Sequence, residues 1–115
     1  MIKIVSLHRR NPALSRAEFV DYWHKVHAPL CSRLLQGLGV RRYVAGFPVE
    51  GSGNFGGVGP DFDVVVELHF DDRDALEAAL SSPQVNTEER NKSSAHLFDL
   101  PNSRNVICDE VDFPV

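Results

Sequence analysis

Sulfur is scarce in this chain, with two cysteines and one methionine among 115 residues. Cys31 and Cys108 lie far apart in the sequence, without the paired spacing of a zinc or dithiol site. Both are expected to stay reduced and act as small packing residues, a reactive thiol being the alternative. There is no excess of positive charge. The formal net charge of −4 argues against a nucleic-acid partner, and the pairs Arg9-Arg10 and Arg41-Arg42 are too short to reverse that. No apolar run reaches membrane-spanning length, so no membrane partner is expected. The opening MIKIVSLHRR lacks the apolar core and small-residue cleavage site of a secretory signal, which gives a cytoplasmic expectation.

Catalytic and metal signatures are missing as well. His24 and His27 are three apart, and His8, His69 and His96 are scattered, with no HExxH-like pattern; no metal is expected. No Gly-x-Ser-x-Gly elbow is present. Gly51-Ser52-Gly53-Asn54-Phe55-Gly56 matches the letters of a dinucleotide fingerprint but not its context. That motif needs a helix N-terminus to receive the pyrophosphate, whereas here more glycine, Pro60 and a strand pattern follow. The stretch reads instead as a long loop over residues 46–60, of a length usually associated with lids or mobile segments.

What is present is 43% hydrophobic residues and 24% charged ones, ordinary values for a globular chain of one domain. Residues 15–30, SRAEFVDYWHKVHAPL, carry the clearest local signal. Ser15 and Glu18 have the form of a capping box. Behind them Phe19, Trp23, Val26, Leu30 and Leu34 recur at helical spacing, and His27 falls on the same stripe. Pro29 is expected to kink that helix or to end its regular part. Strands are expected over residues 2–8, 40–47, 62–70 and 106–113, with a helix over 74–80 capped by Asp71 or Asp72 and another helical stretch from Pro83 toward Phe98.

This order, β-α-β-β-α-β, is the α+β ferredoxin-like plan: one antiparallel sheet with its helices on one face. In the third strand Phe62, Val64, Val66, Leu68 and Phe70 form an apolar face suited to the helices. Glu67 and His69 are then left on the uncovered face with Val65 and, by parity, Tyr43 or its neighbours. A mixed sheet face of that kind usually meets a ligand or a second copy of the chain.

An imidazole on an apolar stripe is either a core group with satisfied nitrogens or a proton carrier facing a pocket. Glu67 and His69 read either as a solvated or dimer-contact face or as a pocket wall in which the carboxylate polarises a proton carrier. Tyr43 is either ordinary strand packing or a phenolic donor. His24 is expected to be solvated.

The N-terminal strand, the helix with its Tyr22, Trp23, His27, Ala28 and Pro29 core, and the segment DVVVELHFDDRDALEAALSSP together resemble the EthD family of dimeric α+β barrel proteins. The glycine-rich insert is longer than in a typical member. The resemblance implies a homodimer that pairs sheet to sheet, with a cavity between sheet and helices or near the interface. It also implies a small-molecule substrate, no cofactor, and a histidine at position 27 used in proton transfer. Trp23, Tyr43, Glu67 and His69 are the associated candidates for substrate binding. Relatives of this kind include accessory factors of ether degradation, polyketide dehydratases and muconolactone-type isomerases. The functional expectation is therefore a cofactor-free isomerase or lyase acting on a lactone, phenolic or polyketide-like ring. The alternatives are a non-catalytic binding protein and a cofactor-free monooxygenase.

Overall fold

A computed structural model describes residues 1–49 and 61–115 of the chain; the glycine-rich insert, and with it the loop expectation, lies outside the described residues. Strand β1 spans Ile2–His8, where β-branched residues favour extended backbone. Helix α1 covers Arg16–Tyr22 and opens with the expected capping box. The Glu18 N–H donates to Ser15 Oγ at 3.1 Å, and the Ser15 N–H donates to Glu18 Oε1 at 2.9 Å.

The helix does not end or break at Pro29. A π-helical turn, Trp23–His27, comes first, with the Ala28 N–H reaching back to the Trp23 carbonyl. Helix α2, Ala28–Leu34, then takes Pro29 in its first turn, where a missing N–H costs little. The wide turn absorbs the irregularity expected of the proline. It also selects the buried stripe: Phe19, Trp23, His27, Leu30 and Leu34 are buried, whereas Val26 is 43% exposed. Gly37 and Gly39, both at positive φ (77° and 81°), make the exit turn.

Strand β2 is Arg42–Gly46 and β3 is Val64–Phe70. Asp72 caps helix α3, Arg73–Ser81. Helix α4, Glu88–Leu97, starts later than Pro83, because Thr87 supplies the cap by accepting from the Arg90 N–H. Strand β4 is Arg104–Asp109 rather than 106–113. Its partner β1 begins at Ile2, which stands opposite Asp109, so residues beyond that pair have no strand to bond.

The sheet order is β2-β3-β1-β4 with every pairing antiparallel, the ferredoxin-like arrangement expected from the sequence. On the helix side Phe19, Trp23, Val64, Val66, Leu97 and Phe98 form the main core, and Phe70, Leu76 and Ala79 a second cluster. Among the described residues no helix is long and apolar enough to cross a membrane.

Candidate functional site

Alternation along the strands divides the polar side chains between two faces of the sheet. Ile4, Ser6 and His8 of β1, Tyr43 of β2 and Val66 and Leu68 of β3 point toward the helices and line a cavity of about 430 Å³. Trp23 and His27 close it from the π-helical turn and Cys31 from α2, and Arg90 and Ser94 from α4. This volume falls within the range that takes small organic ligands.

His27 is buried in the cavity wall, 5% exposed. Its Nδ1 lies 2.8 Å from Ser93 Oγ, and its Nε2 lies 3.5 Å from Cys31 Sγ. The Tyr22 hydroxyl donates to Ser93 Oγ at 3.3 Å, and the second lone pair of that oxygen can take a proton carried on Nδ1. In that tautomer the Nε2 lone pair, on the Cys31 side, is the basic position. Trp23 and Phe98 hold the ring, with centroids 5.0 and 5.3 Å away. Burial, then the Arg90 charge and His8, pushes the imidazole down to about 4, so it is neutral at physiological pH and able to accept a proton.

Tyr43 stands on the helix side, not with Glu67 and His69; on β2 it is Arg42 and Val44 that share their face. Burial, followed by the neighbouring Cys31 thiol, raises the Tyr43 phenol, which keeps it a neutral donor. Burial also pushes the Cys31 thiol up against the opposing pull of Arg90 and Tyr43. A thiol held in its protonated form is a poor nucleophile, which fits a packing role. His24 is exposed, as expected, with Nδ1 2.8 Å from the Val20 carbonyl oxygen.

Glu67 and His69 do sit on the face away from the helices, and so they are not part of the His27 cavity. The period-two alternation of β3 sends Val66 and Leu68 to the cavity and Glu67 and His69 to the opposite side. There Lys3 Nζ lies 2.8 Å from Glu67 Oε1 and 2.9 Å from Glu110 Oε2. His69, only 3% exposed, has Nε2 3.2 Å from Glu67 and Nδ1 3.7 Å from Glu110. The hydrogen bond from Lys3 holds both carboxyls below their usual range. The donor atoms of Glu67, His69 and Glu110 lie within 4.8 Å of one another, and the Lys3 ammonium contacts both carboxylates and balances one of their two charges.

Residues 11–100 match the family model described as EthD domain. The chain belongs to the EthD family. The solved structures it resembles include an EthD family protein of Bacillus halodurans at 19% identity, with a TM-score of 0.72 over 96% of this chain and 99% of that one. A dimeric protein of unknown function with a ferredoxin-like fold from Bacteroides fragilis is 13% identical, TM-score 0.67, over 95% of each chain. SnoaB, a cofactor-independent oxygenase of Streptomyces nogalater, is 15% identical, TM-score 0.65, over 97% of this chain and 94% of its own. At such identities the likeness is one of fold. A comparison with curated proteins found no match.

In this EthD domain two cavity residues escape sequence reasoning. His8 follows from parity, since Ile2, Ile4, Ser6 and His8 share one strand face. Its Nδ1 lies 2.8 Å from Ser103 Oγ, and its ring stacks on Phe98 at 3.9 Å. Burial and the Arg90 charge push it, too, down to about 4. Arg90 has no comparable signal, because only the packing of α4 over the sheet brings it to the cavity.

Proposed function

We propose that this EthD protein is a cofactor-independent enzyme that moves a proton on a small, partly apolar ring compound, lactone, phenolic or polyketide-like, in an isomerase or lyase reaction. The observation that carries this reading is the buried, neutral His27, held by Ser93 in the wall of a cavity of about 430 Å³. A neutral imidazole in an enclosed site takes a proton from an activated C–H or O–H and returns it at a second position, and that step suffices for isomerisation or elimination. Tyr43, kept protonated, donates to a carbonyl or hydroxyl oxygen, and Trp23 and Phe98 supply flat apolar walls. Glu67 and His69 serve the opposite face.

That face supports a homodimer. Val106 is 51% exposed on it, and beyond β4 Val111 and Phe113 are 65% and 80% exposed. Such apolar surface suits a second copy, and the Bacteroides fragilis structure with the same fold is described as dimeric.

Proton transfer can be read before the natural substrate is known. Enolisable lactones and ring ketones incubated with the protein in heavy water should take up deuterium, followed by NMR, and His27→Ala should reduce uptake to the uncatalysed rate. Equal uptake with and without the imidazole would remove His27 from the mechanism. A second reading, oxygenation without cofactor, draws on SnoaB, a cofactor-independent oxygenase. Oxygen consumption with phenolic ring substrates separates the two.

A further inference from the structure

Among its described lining residues the cavity carries one permanent charge, the half-buried Arg90, and no aspartate or glutamate to balance it. The acids nearest to Arg90 on its own helix turn elsewhere: Glu89 pairs with Arg33 at 3.2 Å, and Glu88 with Lys92 at 3.3 Å. Among the described residues no carboxylate lies within ion-pair distance of the Arg90 guanidinium. A guanidinium facing a partly enclosed space is costly to leave unpaired, and its planar fork matches the two oxygens of a carboxylate.

The surrounding groups extend the match. Ser94, one helical turn beyond Arg90, shares its side of α4, and Asn86 lines the cavity just before the helix. Ile4, Val66 and Leu68 from the sheet, with Trp23 and Phe98, leave the rest of the cavity apolar. The Arg90 charge is felt at His8, His27, Cys31 and Tyr43 alike, which marks it as a cation aimed inward.

We infer that the molecule bound in the His27 cavity is an organic acid, an apolar body carrying a carboxylate that Arg90 grips with support from Asn86 and Ser94. This rests on the reading of the cavity as a substrate site and narrows its substrate class. Arg90 then sets which molecules enter and how they lie against His27.

The test uses naphthoate and its neutral isostere naphthamide, titrated into the full chain by calorimetry at neutral pH. Naphthoate should bind roughly tenfold or more tightly than naphthamide, the scale of a charge-assisted contact. Arg90→Gln should bring the two affinities together by weakening naphthoate alone, and Arg90→Lys should keep part of the preference. Should the glutamine variant fold poorly, Arg90→Met, which retains the aliphatic stem, repeats the measurement. Equal affinity of both probes for the wild-type chain, or a preference unchanged by loss of the guanidinium, would overturn the assignment of Arg90 while leaving the cavity a binding site. Binding of neither probe would overturn the cavity reading together with the inference. Deuterium uptake that fails while the naphthoate preference persists would remove the catalytic reading alone.

Discussion

His8 and His27 reach one cavity from opposite sides of the core, and each is tied through Nδ1 to a serine hydroxyl 2.8 Å away, Ser103 and Ser93 respectively. Phe98 touches both rings, stacked on His8 and edge-on to His27. One buried and one partly buried imidazole near a single guanidinium cannot readily ionise, and this governs how the protein responds to acid.

Both histidines are pushed down to about 4 from an ordinary 6.5, mainly by burial. The unfolded chain therefore binds more protons than the folded one between those values. The stability from neutral burial is complete above pH 6.5 and is lost progressively as pH falls toward about 4. For each ring the loss is about 3 kcal/mol at the acid end. Urea unfolding across this window should show the decline, and His8→Asn should flatten part of it.

His27→Ala leaves Ser93 without its partner and opens a void, at a cost of about 2 kcal/mol. Turnover should fall at least about a hundredfold, the usual scale for a general base. Circular dichroism and a thermal melt should find the variant folded, which separates loss of chemistry from loss of structure.

Cys31 lies beside the proposed base, yet its thiol is held protonated. Cys31→Ser should keep activity within a few-fold, and wild-type Cys31 should react slowly with a thiol reagent at neutral pH. Tyr43→Phe removes a donor while keeping the ring. It should lower kcat/KM by roughly tenfold with little change in stability. A fall as steep for Cys31→Ser as for His27→Ala would place the thiol in the mechanism.

The exposed tail and open sheet face lead to a third kind of test. Val106→Asp and Phe113→Asp should each shift the molecular mass in light scattering from dimer toward monomer, and a wild-type monomer at micromolar concentration would sink the dimer reading.

Much of the fold was legible because it rests on local rules. The limits of β1 were read from alternation alone, and Ser15 with Glu18 announced the first helix. The errors have tertiary causes. Val111 and Phe113 look like strand residues, but β1 runs out at Ile2, and without a partner the backbone leaves the sheet. Pro83 resembles a helix start, but Thr87 followed by Glu88 and Glu89 is the cap the chain uses. His27 was visible as an imidazole out of place on an apolar stripe. Glu67 and His69 lie on the uncovered face that strand alternation predicts for them, and that same alternation separates them from His27. Arg90 stayed hidden because a single arginine on a polar helix is indistinguishable from a solvated one until the sheet is placed beneath it.

The π-helical turn at Trp23–His27 fixes which side chains look inward. A turn wider than that of an α-helix keeps a spacing of four in register, so Phe19, Trp23 and His27 follow one another into the core while Val26 is carried round to solvent. Straightening this segment into a regular α-helix would rotate the imidazole and the indole relative to each other and reshape the cavity without changing a single residue.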